Sequence, residues 1–597
     1  MSDQELPKPG APDPLEGQLL DHVNQGRADG GIDVADWAGG IEEVPAHLPA
    51  FRVGRRWISF AKLITGIVIL GILGAILCRF LWGFDFAQEF VTRYPGTSSD
   101  YVKPMTGGFP WWLRWQHLFN LLFMMFIIRA GIQILADHPR LYVNPGSTPD
   151  TEWMRLRGAV PADRRDMAQP ARVWKAKDDA VALPKWLGIP GIRHSIGLAR
   201  WWHFSFDTLW LINGVIFYIL IFSTGQYHRI VPNSLDVFPN ALSTFFTYMS
   251  LHLPENAGYA TYNALQLLAY FTTVFIAAPL ALITGLLQAP SISGRLGLAA
   301  GPLNRQTART IHFAVLIWML FFILVHTAMV FMTGLIPNLN HIIYGTNTSR
   351  PSALIVYGAF MAGIVVLWLL ASPFTLRYPR IVQKAGRVMV GNTKLAMEWA
   401  DPRTGYREDQ ISPYFWPNGE EPRSTVYERH VANDFADWTV RIDGLVANPV
   451  ELSLAELKAL PKQEQITQHF CIQGWSAIGK WGGIHMQHIL DLVQPKPEAK
   501  WVVFYSMADG AVGGRYYDCH RIENMSHHLT ILAYEMNGEP LNVTHGAPLR
   551  LRDEVELGFK QVKWIEAIEF VESFDHLGAG QGGYNEDQEF YGYRMPI

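Results

Sequence analysis

The sequence predicts a two-part fold: an all-α transmembrane bundle of six spans followed by an α+β soluble domain. Three observations predict it. Six apolar runs long enough to cross a bilayer lie within residues 58–371, in a chain that is 49% apolar and only 17% charged. After residue 411 the pattern changes to short alternating stretches, such as 438–442 and 501–505, interrupted by a helix-like segment at 454–460. At 597 residues the chain is also too long for a single core.

Residues 1–50 are rich in Pro, Gly and acidic side chains without a periodic apolar pattern, and read as a disordered arm. A membrane domain over 51–375 holds apolar runs at 58–82, 117–136, 204–224, 264–287, 311–335 and 353–371. The first lies too far from the N-terminus for a cleaved signal peptide, and Arg55 and Arg56 before it read as boundary anchors rather than an export signal. Residues 376–410 are polar with scattered Pro and Gly, and read as a linker ending in an arm laid on the soluble domain of 411–597.

Orientation follows from the loops. The loop from 137 to 202 carries Arg140, Arg155, Arg157, Arg164, Arg165, Arg172, Lys175, Lys177, Lys185, Arg193 and Arg200. Arg305 and Arg309 before the fifth span, and Arg377 and Arg380 after the sixth, fall on the same side. Because basic loops stay in the cytoplasm, both termini and the soluble domain are expected there, with the bundle among the lipids of the inner membrane.

Composition excludes several function classes. A net charge of −4 without a basic patch gives no sign of nucleic-acid binding. Cys78, Cys471 and Cys519 are too few for a disulfide framework or an iron–sulfur cluster, and the haem-attachment pattern C-x-x-C-H is absent. No nicotinamide or flavin fingerprint occurs either. Homo-oligomerisation is left open.

Histidines within the spans form one candidate site. His312 and His326 share a helix fourteen residues apart, which places them about 21 Å apart along the axis and within about 40° of one face. His117 opens the second span and His203 the third, and these helices run in opposite directions. Helix direction therefore pairs His203 with His312 at one depth and His117 with His326 at the other. Neutral imidazole is a standard haem ligand, so two b haems are expected, one per pair. A single membrane histidine is as often structural, but four at matched depths are not. His138, His194, His228, His252 and His341, at span edges or in loops, are read as solvated or interfacial. The histidines, with Arg129-Ala130-Gly131-Ile132-Gln133 and His138-Pro139-Arg140, resemble the di-haem cytochrome b subunits of formate dehydrogenase and nickel–iron hydrogenase, apart from an extra leading span.

The second candidate site is Gln468-His469-Phe470-Cys471-Ile472-Gln473-Gly474-Trp475-Ser476, followed by Lys480-Trp481-Gly482-Gly483. Cys471 alone would read as a small buried hydrophobe. A lone thiolate suits a soft metal that brings most of its own ligands, whereas zinc spacing is absent. With His545-Gly546-Ala547-Pro548-Leu549-Arg550-Leu551-Arg552 and Gly558-Phe559-Lys560-Gln561-Val562-Lys563-Trp564, this stretch resembles the molybdopterin-dependent oxidoreductases of the sulfite-oxidase fold. The resemblance implies an α+β sulfite-oxidase-type molybdopterin domain with Cys471 as molybdenum ligand and catalytic centre. It further implies that His545, Arg550 and Lys563 contact the pterin or its phosphate, that Gln561 does so through its backbone, and that Ser506 is a small hydroxyl residue near the cofactor. Tyr516, Tyr517, Tyr584 and Tyr591 are candidates for a pocket wall, against the commoner role of aromatics in cores.

The two halves imply oxygen-atom transfer on a small oxyanion or S-oxide, either sulfite oxidation or sulfoxide reduction, with electrons exchanged with a quinone or quinol through the haems. The alternatives are a transmembrane electron carrier or redox sensor whose soluble domain is a non-catalytic docking module.

Overall fold

In the computed structural model, residues 49–54, 56–97, 108–184, 186–188, 196–252, 262–295, 301–398 and 406–593 are described. The expected N-terminal arm and His194 lie outside these residues, except for positions 49 and 50.

Six helices are long and apolar enough to cross a membrane: α1 (Phe60–Leu81), α2 (Trp111–Asp137), α3 (Ile196–Ser223), α4 (Ala264–Leu287), α5 (Arg305–Met332) and α6 (Ser352–Arg377). Polar caps set several of their starts. Ser59 accepts from Lys62 N ahead of α1, Asn263 from Gln266 N ahead of α4, and Asn304 from Gln306 N and Thr307 N ahead of α5. α1 has no buried residue, as expected of a helix at the edge of the bundle, and touches the segment ending at Met249 on one side only. α2 and α3 are fastened by stacking of Phe126 on Trp202 and Phe206 at 5.6 and 4.8 Å. Inside the bundle, Arg129 bonds the carbonyls of Leu187, Gly188 and Trp368 and the Ser372 hydroxyl, so a charge within a span finds its acceptors in protein.

Two expectations are corrected here. The segment read as a polar linker is helical over Pro379–Glu398, as α7, and packs along α3. The long basic loop after α2 contributes two strands to a small sheet. Strands β1 (Ala50–Val53), β2 (Arg56–Ser59), β3 (Arg140–Leu141) and β4 (Met154–Arg155) form a small sheet in the order β2-β1-β4-β3. Arg140 is fully buried there, bonded to Glu152 at 2.8 Å and to Asp179 at 2.8 and 2.7 Å. His138, read as interfacial, is fully buried with its ring edge-on to Trp416. His341, read the same way, is buried and bonded to Asn347.

The soluble part is α+β with two sheets. One contains β5 (Thr439–Gly444), β6 (Val450–Ser453), β9 (Trp501–Asp509), β10 (Arg515–Arg521) and β14 (Ile565–Val571), in the order β10-β9-β14-β5-β6 with only β14 and β5 parallel. The other contains β7 (Lys462–Phe470), β8 (Ser476–His485), β11 (Ile531–Met536) and β12 (Glu539–Pro540), and β13 (Arg550–Arg552) pairs with β11. Alternation along the strands points Val440, Ile442, Ile484, Val502, Phe504, Ile568 and Phe570 into one core. Each such side chain contributes about 1.5–3 kcal/mol on burial. That core fixes the ends of β7 and β13, where the candidate site begins.

Candidate functional site

Cys471 is the first residue after β7, in a turn that returns the chain into β8. Its N–H donates to Trp475 O at 3.1 Å, and Gly474 N–H donates back to Cys471 O at 3.1 Å. Gly474 has φ 107°, and a Cβ there would come within 3.3 Å of the Arg309 guanidinium, so conformation and space both require glycine. The thiol is 2% exposed, and burial pushes it up to about 12. Unliganded, it is therefore a neutral thiol, and a metal would have to displace its proton.

Basic groups converge beside this turn. Arg550 donates to His545 O at 2.9 Å and lies 4.7 Å from the Trp481 ring centre, and its buried Nε has no partner among the described residues. Lys563 Nζ donates to Asn418 O at 2.5 Å and Thr544 O at 2.8 Å. Burial, then repulsion by Arg552, holds Arg550 well below its usual value, burial, then repulsion by Arg550, does the same to Lys563, and His545 is lowered to about 3 by burial, Lys563 and Arg550. Among the described residues no carboxylate lies within ion-pair distance of Arg550 or Lys563. The adjacent Arg552 does have one, Glu554, and also bonds the His469 ring. Buried cations without a counter-charge are costly, and an anion would supply one. This donor set, an unpartnered Nε included, fits an anionic pterin phosphate, and the single thiolate fits a metal bringing its own ligands. Among the described residues, no cluster of three or more protein ligands could hold an ion.

Ser506 and Gln561 stand differently. The Ser506 hydroxyl donates to Lys563 O at 2.7 Å and accepts from Ala508 N, so it meets the basic cluster only through that carbonyl. Gln561 Nε2 ties Asp553 O and Glu556 O, at 3.2 and 3.4 Å. Tyr517 and Tyr584 belong to a separate apolar cluster of the sheet, with Tyr516 packed against it, whereas Tyr591 packs in the cluster around Cys471.

In the membrane domain the four histidines meet in the expected pairs. The His203 and His312 ring centres are 6.5 Å apart, and those of His117 and His326 are 6.3 Å apart. Two imidazoles bound to one metal through bonds of about 2 Å stand at about this separation. Nδ1 of His203 lies 3.1 Å from Ile127 O, Nδ1 of His312 3.0 Å from Thr284 Oγ1, and Nδ1 of His326 3.3 Å from Tyr270 OH. Such contacts orient ligating rings. Asp207, one turn after His203, stands 3.4 Å from its Nε2. Glycines lie against the first pair: a Cβ on Gly131 would come 3.3 Å from the His203 ring, and one on Gly285 3.7 Å from that of His312. The histidines and their second contacts fit haem b.

The residues that sequence reasoning missed are those joining the two sites. Arg305, at the start of α5, donates to Cys471 O from both terminal nitrogens at 3.2 Å and to Trp475 O at 3.4 Å. Gln306 donates to Gly474 O at 3.0 Å and to Ser476 Oγ at 2.9 Å. Arg309 bonds Arg140 O and His138 O, and Arg200 bonds Ile472 O at 3.4 Å. Arg305 precedes His312 by seven residues, about 10 Å along the helix. The sequence signal for the three arginines was their place among the basic residues flanking the spans, and Gln306 carried none.

Residues 108–345 match the prokaryotic cytochrome b561 family, and residues 428–576 match the oxidoreductase molybdopterin-binding domain family. The chain thus joins a cytochrome b561 membrane domain to a molybdopterin-binding oxidoreductase domain. Among curated relatives, the subunit YedZ1 of Azospira oryzae is 36% identical over 157 residues, which are 26% of this chain and 55% of that protein. The protein-methionine-sulfoxide reductase catalytic subunit MsrP of Xanthomonas axonopodis pv. citri is 37% identical over 145 residues, 23% of this chain and 45% of that one. MsrP of Campylobacter jejuni is 30% identical over 146 residues, 23% of this chain and 49% of that one. The chain thus spans about half the length of the curated relatives it matches. The sulfane dehydrogenase SoxCD of Paracoccus pantotrophus aligns at 24% identity over 23% of this chain and 39% of that one, with a TM-score of 0.21.

Proposed function

We propose that this chain is a membrane-bound molybdoenzyme that reduces a small S-oxide with electrons drawn from a quinol through two b haems. The observation that carries the proposal is the seating of the Cys471 turn on the first turn of α5, the helix that also holds His312 and His326. When bound, molybdenum–pterin supplies two-electron oxygen-atom exchange and haem supplies single-electron transfer. Cys471 would hold the molybdenum, with Arg550 and Lys563 neutralising the anionic pterin, His545 contacting it as a neutral imidazole, and Ser506 and Gln561 bracing the strands behind it. His203 with His312, and His117 with His326, would each hold one haem. The overall reaction cleaves the S=O bond, consumes two electrons and two protons, and releases the thioether and water.

The names of the MsrP relatives support reduction of a sulfoxide over oxidation of sulfite. The basic loops support a cytoplasmic soluble domain, and the seating of the Cys471 turn on Arg305, seven residues before His312, would make the His203–His312 haem the one closest to the molybdenum. The test uses membranes containing the chain with its haem reduced. Dimethyl sulfoxide should reoxidise haem b, and sulfite should not reduce the oxidised haem. Reduction by sulfite would reverse the direction. Loss of neither activity in Cys471→Ser would leave the electron-carrier reading in its place.

A further inference from the structure

Three arginines of the membrane domain converge on the turn that carries Cys471. Arg305 points both terminal nitrogens at Cys471 O, and its guanidinium lies 5.6 Å from the centre of the Phe470 ring. Arg309 packs against Gly474, where a Cβ would come within 3.3 Å of its guanidinium, and Arg200 reaches Ile472 O. Arg305 and Arg309 are only 6% and 7% exposed. The acceptors of all three are main-chain carbonyls, and among the described residues no carboxylate stands within ion-pair distance of them.

Docking alone does not call for these charges. Gln306 seats the same turn through Gly474 O and Ser476 Oγ, at 3.0 and 2.9 Å, with a neutral donor. A buried cation without a counter-charge costs free energy that an amide does not. The amino end of α5, the positive end of its dipole, stands at the same place. Burial raises the Cys471 thiol and a backbone bond at Gln473 lowers it; of the charges that act on it, Asp137 raises it and Arg305 lowers it. Arg305 thus favours negative charge at the sulfur, against the carboxylate that closes α2.

We propose that Arg305, a positioning residue supplied by the membrane domain, raises the reduction potential of a molybdenum held on Cys471 through the positive charge it fixes against the metal-bearing turn. Each electron added to a buried metal adds negative charge there, and a fixed cation nearby in a medium of low dielectric stabilises the reduced form. This deepens the proposed function and rests on it for the direction of electron flow. A raised potential draws electrons from haem onto molybdenum, as reduction of an S-oxide at the expense of a quinol requires. The soluble domain then provides the thiolate and the pterin donors, and the membrane domain provides the charge that sets how readily the metal is reduced.

The experiment uses the full chain, purified with both cofactors, and the variants Arg305→Gln, Arg305→Lys and Gln306→Ala, with molybdenum and haem contents measured to confirm assembly. A redox titration without substrate, followed by the paramagnetic resonance of half-reduced molybdenum, reads the midpoint. In Arg305→Gln the equilibrium for adding the first electron should fall by a factor of about ten or more, which is about 59 mV at tenfold. Arg305→Lys keeps the charge, and Gln306→Ala removes two docking bonds without removing one, so both should stay within about threefold of the wild type. An unchanged midpoint in Arg305→Gln would overturn the proposal. So would an equal fall in Arg305→Lys or Gln306→Ala, since contact rather than charge would then set the potential. If Arg305→Gln takes up no molybdenum, Arg200→Gln decides: removing this second cation should lower the midpoint equilibrium by about threefold or more, and no change would overturn the proposal. Because the midpoint is read without substrate, a chain that shows these shifts but reduces no S-oxide would lose the functional reading and keep the role of Arg305.

Discussion

Arg550→Met separates a cofactor-binding role from a structural one, because the two readouts move in opposite directions. Methionine keeps an apolar stem over Trp481 and removes the charge. In the chain without cofactor, Arg550 is a buried cation beside Lys563 and Arg552, with its Nε unpartnered and one donor bond, to His545 O. Losing that bond costs about 1 kcal/mol, and relief of a buried uncompensated charge returns as much or more. The apo chain should therefore melt at the wild-type temperature or above. With an anionic pterin bound, the lost charge-assisted donor costs about 1.5–3 kcal/mol, or roughly ten- to hundredfold in affinity. Molybdenum content by mass spectrometry on purified chain measures the second effect, and melting of chain made in a host unable to synthesise molybdopterin measures the first. Full molybdenum content together with an apo chain destabilised by more than about 2 kcal/mol would refute the reasoning and make Arg550 a packing residue.

Cys471→Ser should retain pterin and haem yet lose turnover, because an alkoxide is a harder ligand than a thiolate; full activity would remove this cysteine from the chemistry. Ala variants of His203 and His312 should abolish the same component of a haem redox titration, and those of His117 and His326 the other; loss of one component by His312→Ala and His117→Ala alike would break the pairing. The apo soluble region should lose stability as pH falls from about 6.5 towards 3, since the unfolded His545 imidazole takes a proton from 6.5 downward that the folded one refuses until about 3. Thermal melts across that range should flatten in His545→Asn, and an unchanged slope would show that other groups carry it.

The features legible in the sequence were those with a fixed period or a specific local pattern. A rise of 1.5 Å per residue and an up-down order of spans were enough to pair His203 with His312 and His117 with His326, and the structure brings those rings to 6.5 and 6.3 Å. The Cys471 turn and the Arg550 strand stood out because their motifs, Gly474 and the Gly546-Ala547-Pro548 run included, resemble those of a known family. What stayed hidden depends on tertiary partners. Arg140 looked like one more topogenic arginine until Glu152 and Asp179 closed on it, and His138 like an interfacial residue until Trp416 covered it. The amphipathic run of α7 was masked by its polar composition, which suits a linker as well as a helix lying along α3. Ser506 carried the right residue type, but its hydroxyl is taken by main-chain groups.

Charge at the start of α5 serves two ends that sequence alone cannot separate. Arg305 and Arg309 count towards membrane orientation because they flank a span, and that statistical role asks nothing of their geometry. In the folded chain both are buried: one holds the Cys471 and Trp475 carbonyls, and the other holds the carbonyls of His138 and Arg140. A guanidinium taken out of water needs acceptors, and here main-chain carbonyls of the soluble domain and of the loop after α2 provide them. The residues that mark one face of the membrane are thus the same residues that seat the soluble domain on that face. Reversing the chain in the bilayer would carry the basic loops, the Cys471 turn and the His203–His312 pair across together, so the order of the redox groups is set by the fold and holds in either orientation.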